Sequence, residues 1–250
     1  MAVRGAPIPL KLKHDAILEA LFEIRFDTAT IPEILFGRLA DLQPWNGFVQ
    51  RRLPSYDIPA ALRQSDPNLR YQPVFELANP EKQRAVRIGP QVLSYHQFSP
   101  YVGWEKFKPG LEEAIGGLFA KADAPNIRRL GLRYMNSLRT DLHGIRTIED
   151  LDVKLLVANE GVSGNVNVNF TTSPLSDTEC TVRVATPGFV QGNLPANTSV
   201  YVDVDVFTKD AFRTRDQSVV KRWIESAHTT EKEQFFRLLT DQTISSLKER

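Results

Sequence analysis

The chain has 250 residues, enough for one large core or for two fused half-domains of roughly 100 to 130 residues each. Its 42% hydrophobic and 24% charged residues are typical of a globular protein and exclude disorder as the default state. With 31 Lys and Arg against 30 Asp and Glu, the formal charge is +1. No overall field therefore drives the chain onto nucleic acid or an anionic membrane, and any such binding needs a local patch.

The single cysteine, Cys180, excludes an intramolecular disulfide and fits a reducing compartment. It alternates in phase with Val182 and Val184, which predicts a small buried side chain rather than a reactive thiol. No apolar run approaches the roughly 18 residues of a membrane span, and the N-terminus lacks a signal-peptide core. We expect a cytoplasmic protein with no membrane contact.

The first elements are a strand and a helix. Residues Ala20 to Phe26 alternate with a period of two, and the apolar side is formed by Ala20, Phe22, Ile24 and Phe26. Thr30 is predicted to cap a helix that has Pro32 in its first turn and ends before Pro44. The proline-rich stretch Trp45 to Asn68 is predicted to be a long excursion without an element of its own.

Three strands and a helix follow. The strands are predicted over Tyr71 to Leu77, Arg84 to Ile88 and Gln91 to Phe98. Apolar residues then recur from Trp104 to Phe119 at helical spacing, and Pro109-Gly110 is expected to kink or split the first turn.

A similar series then begins again. Arg129 to Leu138 alternates as a strand, and Thr147 to Ala158 is ambiguous between helix and strand. Three strands follow whose dry faces are predicted to be Val166, Val168 and Phe170; Cys180, Val182 and Val184; and Val200, Val202, Val204 and Val206. Two closing helices are predicted, the second capped by Thr229 or Thr230, with Glu233 completing a capping box.

The recurrence indicates an internal duplication. The same strand pattern, with Arg one residue before an aromatic residue, occurs at Leu21 to Phe26 and at Leu130 to Met135. Each precedes a segment with helical character, three strands and a helix. We predict an α+β fold of two related β-α-β-β-β-α units, 1–125 and 126–250, which form a long curved antiparallel sheet with helices on one face. This topology is similar to the duplicated TATA-binding-protein-like and helix-grip folds, a likeness that implies no function.

Catalytic and metal-binding motifs are not found. The histidines, His14, His96, His143 and His228, lack the spacing of a metal pair, and no phosphate loop, nucleophile elbow or HExxH motif occurs. We therefore expect no metal, no cofactor and no enzymatic activity.

The wet face of the sheet is the better candidate for a site. The alternation predicts that it carries Arg25, Arg133, Arg183, Asn167, Asn169, Asp203 and Asp205. Arginine and asparagine in a concavity can hold phosphates, carboxylates or a peptide backbone. The alternative is a solvated face whose charges pair with one another. Asp203 and Asp205 lie about 6 to 7 Å apart by strand geometry and could hold a cation with a third ligand, although pairing with arginines is favoured.

Three segments resemble a sporadically distributed bacterial family of uncharacterised proteins of about this length. They are Leu10 to Phe26, Leu130 to Asn136, and a C-terminal helix in which Ser226-Ala227-His228 precedes Glu233-Gln234-Phe235 and Leu238 to Asp241. Met135 stands where a branched aliphatic residue is expected. The resemblance implies no catalytic residues, and a patchy distribution of this kind is similar to that of toxin–antitoxin and anti-phage genes.

The leading hypothesis is a non-catalytic binding or accessory protein that engages a protein partner, within a bacterial defence or toxin–antitoxin-type operon. A first alternative is a nucleic-acid-binding protein that uses the concave sheet face, and affinity would then fall steeply with salt. A second alternative is a small apolar ligand in a cavity lined by Phe22, Phe26, Trp104 and Trp223, which core packing explains equally well. The oligomeric state is left open.

Overall fold

The computed structural model of the protein describes Ile8 and residues 12–247. Leu10, where the first family-like segment begins, and the N-terminal residues used to judge a signal peptide lie outside these residues. The strands are β1 (Ile17–Asp27), β2 (Val49–Arg52), β3 (Phe75–Asn79), β4 (Arg84–Ile88), β5 (Val92–Phe98), β6 (Asn126–Arg139), β7 (Leu156–Val157), β8 (Glu160–Gly161), β9 (Asn167–Leu175), β10 (Thr178–Ala185) and β11 (Thr198–Thr208). The α-helices are α1 (Pro32–Ala40), α2 (Ala60–Ser65), α3 (Pro67–Arg70), α4 (Trp104–Lys121), α5 (Thr140–His143), α6 (Gln217–Arg237) and α7 (Asp241–Leu247).

Within the described residues, nine strands form one sheet in the order β2-β3-β4-β5-β1-β6-β11-β10-β9, and β7 pairs separately with β8. The registers of β1 with β5, of β2 to β5 in sequence, and of β9 with β10 are antiparallel. The predicted α+β class with a large antiparallel sheet is therefore confirmed.

Backbone contacts divide the chain into two compact units. Unit 1 comprises the described residues of Met1–Leu18, Arg133–Val206 and Ala227–Arg250, and unit 2 comprises Glu19–Leu132 and Phe207–Ser226.

Unit 2 buries the predicted side of β1. The side chains of Ala20, Phe22, Ile24 and Phe26 are all fully buried, as the alternation predicted. Helix α4 packs on β5, where Gly110 lies so close to the Tyr95 ring that a Cβ atom would overlap it. Pro109 lies within α4, which continues through it, so the helix is not split there.

Unit 1 buries the valine side of β11, and Val200, Val202, Val204 and Val206 are each 0% exposed. The ring of Tyr134 on β6 lies 6.2 Å, centroid to centroid, from that of His228 on α6. The part of α6 from Ala227 onward therefore lies on the apolar side of β6 in this unit. Cys180 is fully buried on β10, as its alternation predicted.

The prediction that Thr30 caps α1 is wrong. The helix begins after Ile31, which makes no side-chain cap. The Thr30 hydroxyl instead accepts a hydrogen bond from the backbone N–H of Asp123 at 2.8 Å. The Thr30 hydroxyl oxygen, which an N-cap would offer to the first turn of α1, is therefore bonded to the backbone of a distant residue.

The stretch Trp45 to Asn68 is not free of elements, so that prediction is wrong as well. It contains the edge strand β2, helix α2 and the 3₁₀ turn Pro54–Asp57, and α3 begins within it. The four residues of β2 are exposed on both faces, which is why their alternation gave no signal.

The closing helix is also longer than predicted. Helix α6 runs without a break through Thr229, Thr230 and Glu233, so no cap or capping box forms there. Thr230 is 6% exposed and packs as a helix-interior residue. The cap lies later, where the Thr240 hydroxyl accepts the backbone N–H of Thr243 at 3.1 Å and α7 begins.

The predicted dry face of β9 is only partly dry. Phe170 is 39% exposed and Val168 is half-buried, because β9 is the last strand of the sheet in the described residues. Alternation indicates which side chains share a face, but burial of that face depends on what packs against it.

Candidate binding site on the sheet of unit 1

A pocket of about 350 Å³ lies on the face of β9, β10 and β11 opposite the buried valines. It is lined by Arg133, Asn167, Asn169, Thr181, Arg183, Asp203 and Asp205. Six of the seven residues predicted for a wet sheet face therefore meet at one place, because each occupies the same side of its strand.

The floor of the pocket is an ion pair between Arg133 and Asp203. Arg133 donates from Nε to Oδ1 at 2.8 Å and from Nη2 to Oδ2 at 2.5 Å, a bidentate geometry. These hydrogen bonds raise the pKa of Arg133 above its ordinary value, against the opposing effect of burial. Asp203 is 4% exposed, so this carboxylate is fully engaged inside the protein.

Tyr201 joins the pair to the second arginine. Its hydroxyl donates to Oδ2 of Asp203 at 3.3 Å, and burial with the neighbouring carboxylate raises the pKa of the phenol. The Arg183 guanidinium lies 5.7 Å from the centroid of the Tyr201 ring. Tyr201 thus contacts both Asp203, through a hydrogen bond, and Arg183, through its ring.

Arg183 lines the pocket on the side of β9 and the Phe189 loop. It donates from Nε to Oδ1 of Asn167 at 2.9 Å and from Nη2 to the carbonyl of Phe189 at 2.7 Å. The neighbouring Thr181 hydroxyl lies 2.8 Å from that of Thr171. The Asn169 side chain stands directly across from Arg183 in the β9–β10 register.

The formal charges of the pocket cancel, since two arginines face two aspartates. Its surface is nevertheless rich in hydrogen-bond donors and acceptors from amides, hydroxyls and guanidinium groups. Such a surface suits a neutral polar group, such as a peptide backbone, better than a chain of phosphates.

Arg25 does not line this pocket. It belongs to unit 2, where its Nε donates to Oε1 of Glu23 at 2.7 Å and its guanidinium lies 4.2 Å from the centroid of the Tyr71 ring. Arg129 also donates to Glu23, at 3.2 Å. Arg25 is therefore part of a separate paired group on its own unit.

Unit 2 contains a second paired group around Glu76, which is 1% exposed. Burial opposes ionisation of this carboxyl, but hydrogen bonds from Arg87 at 2.6 Å and Arg51 at 2.7 Å outweigh it and lower its pKa. These charges satisfy one another, which is the arrangement that the alternative of a solvated, self-paired face describes.

Sequence reasoning missed three contributors to the unit 1 site. Thr181 and Tyr201 could have been found, since they share strand parity with Arg183 and Asp203. Phe189 contributes a carbonyl from a loop, for which the sequence carries no signal.

The aromatic cluster proposed to hold an apolar ligand lies in unit 2 and is largely core. Phe22 and Phe26 are 0% exposed and Trp223 is 6% exposed. Across the described part of the chain, no group of His, Cys, Asp or Glu side chains is arranged to hold a metal ion. No described helix has the length and apolar content required to cross a bilayer.

No protein-family model matches the chain, and no curated protein matches it.

Proposed function

We propose that the protein is a non-catalytic binding or accessory protein that engages a protein partner through the pocket side of unit 1. The observation that carries the proposal is the position of the polar pocket beside β9, an exposed edge strand without charged residues. The proline of this strand, Pro174, lies at its end near the turn into β10, away from Asn167 and Asn169. Exposed sheet edges pair with extended segments of other chains unless charges, prolines or bulges prevent it.

The backbone of β9 is suited to such pairing. The N–H of Thr186 donates to the carbonyl of Val166 at 2.8 Å, so even-numbered residues face β10 across the ladder. The N–H and C=O groups of Asn167, Asn169 and Thr171 therefore point away from the sheet. The side chains of the first two line the pocket, so one bound segment would meet both the free edge and the pocket.

The bound segment would have a defined pattern. Its backbone pairs with β9, and alternate side chains lie over the pocket or over the exposed ring of Phe170. We expect polar residues at the first set of positions and apolar residues at the second.

Site-specific cross-linking tests the proposal. A photoreactive residue in place of Asn169, used in cells of the organism that encodes the protein, should join a discrete polypeptide whose cross-linked residue lies in an extended segment. Thr171→Pro should abolish the adduct, because proline removes an outward N–H without breaking the ladder to β10. Thr171→Ala is the matched control and should retain it. An adduct that survives Thr171→Pro in a folded protein would refute docking along β9.

The two alternatives receive less support from the pocket. Phosphate binding would need an excess of cations, whereas the two arginines here face two carboxylates. An apolar ligand would need space among side chains that are packed in the core.

The proposal includes the internal duplication into 1–125 and 126–250, with a long curved sheet and helices on one face. Its support is the strand order, which runs β1, β5, β4, β3 in one direction and β6, β11, β10, β9 in the other. In each series the first strand, β1 or β6, pairs with the last strand of that series, β5 or β11. The two remaining strands then follow in reverse chain order. Membership of the bacterial family and a role in a defence-type operon stay hypotheses that rest on the three family-like segments.

A further inference from the structure

Unit 2 contains a hydrogen-bonded chain of three side chains that the binding proposal does not use. The Oγ atom of Ser94 lies 2.7 Å from Nε2 of His96, and Nδ1 of His96 lies 2.6 Å from Oε1 of Glu19. Ser94 and His96 project from the same face of β5, two residues apart, and Glu19 projects from the adjacent strand β1. The order hydroxyl, imidazole, carboxylate is that of a serine nucleophile with its base.

The proposed role requires one tautomer of His96. In that tautomer Nδ1 donates its hydrogen to the Glu19 carboxylate, whose oxygens accept. Nε2 is then the acceptor, and the Ser94 hydroxyl donates to it. This is the tautomer in which the imidazole can take the serine proton.

A cationic residue lies on the strand next to Ser94. Arg87 on β4 is directly opposite Ser94 in the register, which places their Cβ atoms roughly 5 Å apart on one face. The guanidinium lies 5.8 Å from the Phe98 ring centroid, and the His96 ring stacks on the same Phe98 at 5.9 Å. Arg87 donates its Nε–H to Glu76 at 2.6 Å, and its guanidinium carries further N–H groups. These N–H groups can stabilise negative charge that develops next to Ser94.

We propose that Ser94 is a nucleophile toward small activated esters, with His96 as its general base and Glu19 as the residue that positions the ring. The Ser94 Oγ forms a bond to the acyl carbon while its proton passes to Nε2 of His96. The bond from that carbon to the alcohol oxygen breaks, and the alcohol leaves with the proton from Nε2. Water repeats the same steps on the acyl-serine and releases the carboxylic acid, so no further reactant is needed.

The burial of the site sets the size of the substrate. Ser94 and His96 are each 5% exposed, and the Arg87 side chain is 30% exposed. Since so little of Ser94 is exposed, we limit the proposed substrates to esters with an acyl group of a few carbons. This inference concerns unit 2 and does not depend on partner binding by unit 1. An adduct on Ser94 would remove only the word non-catalytic from the proposed function, and docking of a segment along β9 would still be tested by its own cross-link.

Active-site labelling tests the proposal directly. The purified full-length protein is treated with a short-chain alkyl fluorophosphonate, and intact-mass and peptide mass spectrometry locate the adduct. We expect one adduct on Ser94 and none on the Ser94→Ala variant. His96→Gln should slow labelling by about 10²-fold or more, because general-base catalysis contributes about 10² to 10⁴ in rate. Hydrolysis of p-nitrophenyl acetate should fall in parallel.

Two controls separate reactivity from packing. Ser137 is also buried at 2% exposure, but its hydroxyl partner is Thr198, so Ser137→Ala should leave labelling unchanged. Glu19→Gln should slow labelling and remove the far-downfield proton resonance of a hydrogen-bonded imidazole N–H. Wild-type protein that gains no adduct on Ser94, or a folded His96→Gln variant that labels at the wild-type rate, would overturn the assignment. Peptide mapping of the wild type decides the matter even if Ser94→Ala fails to fold.

Discussion

The ion pair between Arg133 and Asp203 offers a sharp test of the unit 1 pocket. Arg133→Met removes both hydrogen bonds, at 2.8 and 2.5 Å, and leaves a carboxylate that is 4% exposed. Breaking a buried pair from one side costs about 3 to 5 kcal/mol. The Arg133 side chain is 39% exposed, so water can solvate part of the orphaned carboxylate, and we reduce the expected loss to about 2 to 3 kcal/mol.

A double-mutant cycle isolates this interaction. Asp203→Leu alone leaves a cation that is part-exposed to solvent and still close to Asp205. The Arg133→Met/Asp203→Leu pair leaves two apolar side chains at these positions. The double variant should therefore be more stable than Arg133→Met alone, with a coupling energy of at least about 1 kcal/mol. Urea unfolding at equilibrium, followed by fluorescence, measures the free energies from midpoint and slope.

A matched control is Arg146→Met, since Arg146 pairs with Asp150 while its side chain is 74% exposed. No measurable shift of the urea midpoint is expected there. If the double variant is as unstable as the sum of the single variants, the coupling is zero. The bidentate pair would then not be the structural floor of the pocket.

Three further outcomes follow from the core. Gly110→Ala should destabilise the protein by about 1 to 3 kcal/mol, because the new methyl overlaps the Tyr95 ring. Gly116→Ala in the same helix should stabilise it by about 0.5 to 1 kcal/mol, since its nearest neighbour is 3.8 Å away. Thermal unfolding of both variants measures this contrast, and equal shifts would refute the packing at Gly110. Cys180, whose pKa burial raises to about 12, should not react with an aromatic disulfide reagent at pH 8 until the protein unfolds, and rapid reaction of folded protein would contradict this. Burial raises the pKa of Glu231 from 4.5 to about 8, so the unfolded state releases its proton first and stability is lost as pH rises between these values. Urea midpoints from pH 5 to 8 should fall less for Glu231→Gln than for wild type, and parallel curves would show that Glu231 does not titrate this way.

Strand alternation carried most of the fold prediction because it reflects a local requirement. A half-buried strand needs apolar residues every second position, so the buried faces of β1 and β11 could be found without knowing their neighbours. The same parity located six of the pocket residues on one side of their strands. Strand parity could not show that Arg25 lies apart from the pocket. The position of its side chain depends on contacts with Glu23 and with the Tyr71 ring, which strand alternation does not encode.

Helix ends were predicted less well. Thr30 and Thr230 both have the residue type of a cap, yet one accepts a bond from Asp123 and the other is buried within α6. A cap is one of several uses for a hydroxyl, and packing selects among them.

Local patterns in the chain were sufficient for the fold class, the strand faces and the burial of Cys180, because each depends on neighbours along a single element. The grouping of Arg133, Asp203 and Arg183, and the contact of Ser94 and His96 with Glu19, arose only from pairing between strands. His96 and Glu19 are 77 residues apart, and no periodicity encodes a hydrogen bond over that separation. Such sites form where the register of a sheet brings distant side chains within reach, and register depends on the packing of the whole core.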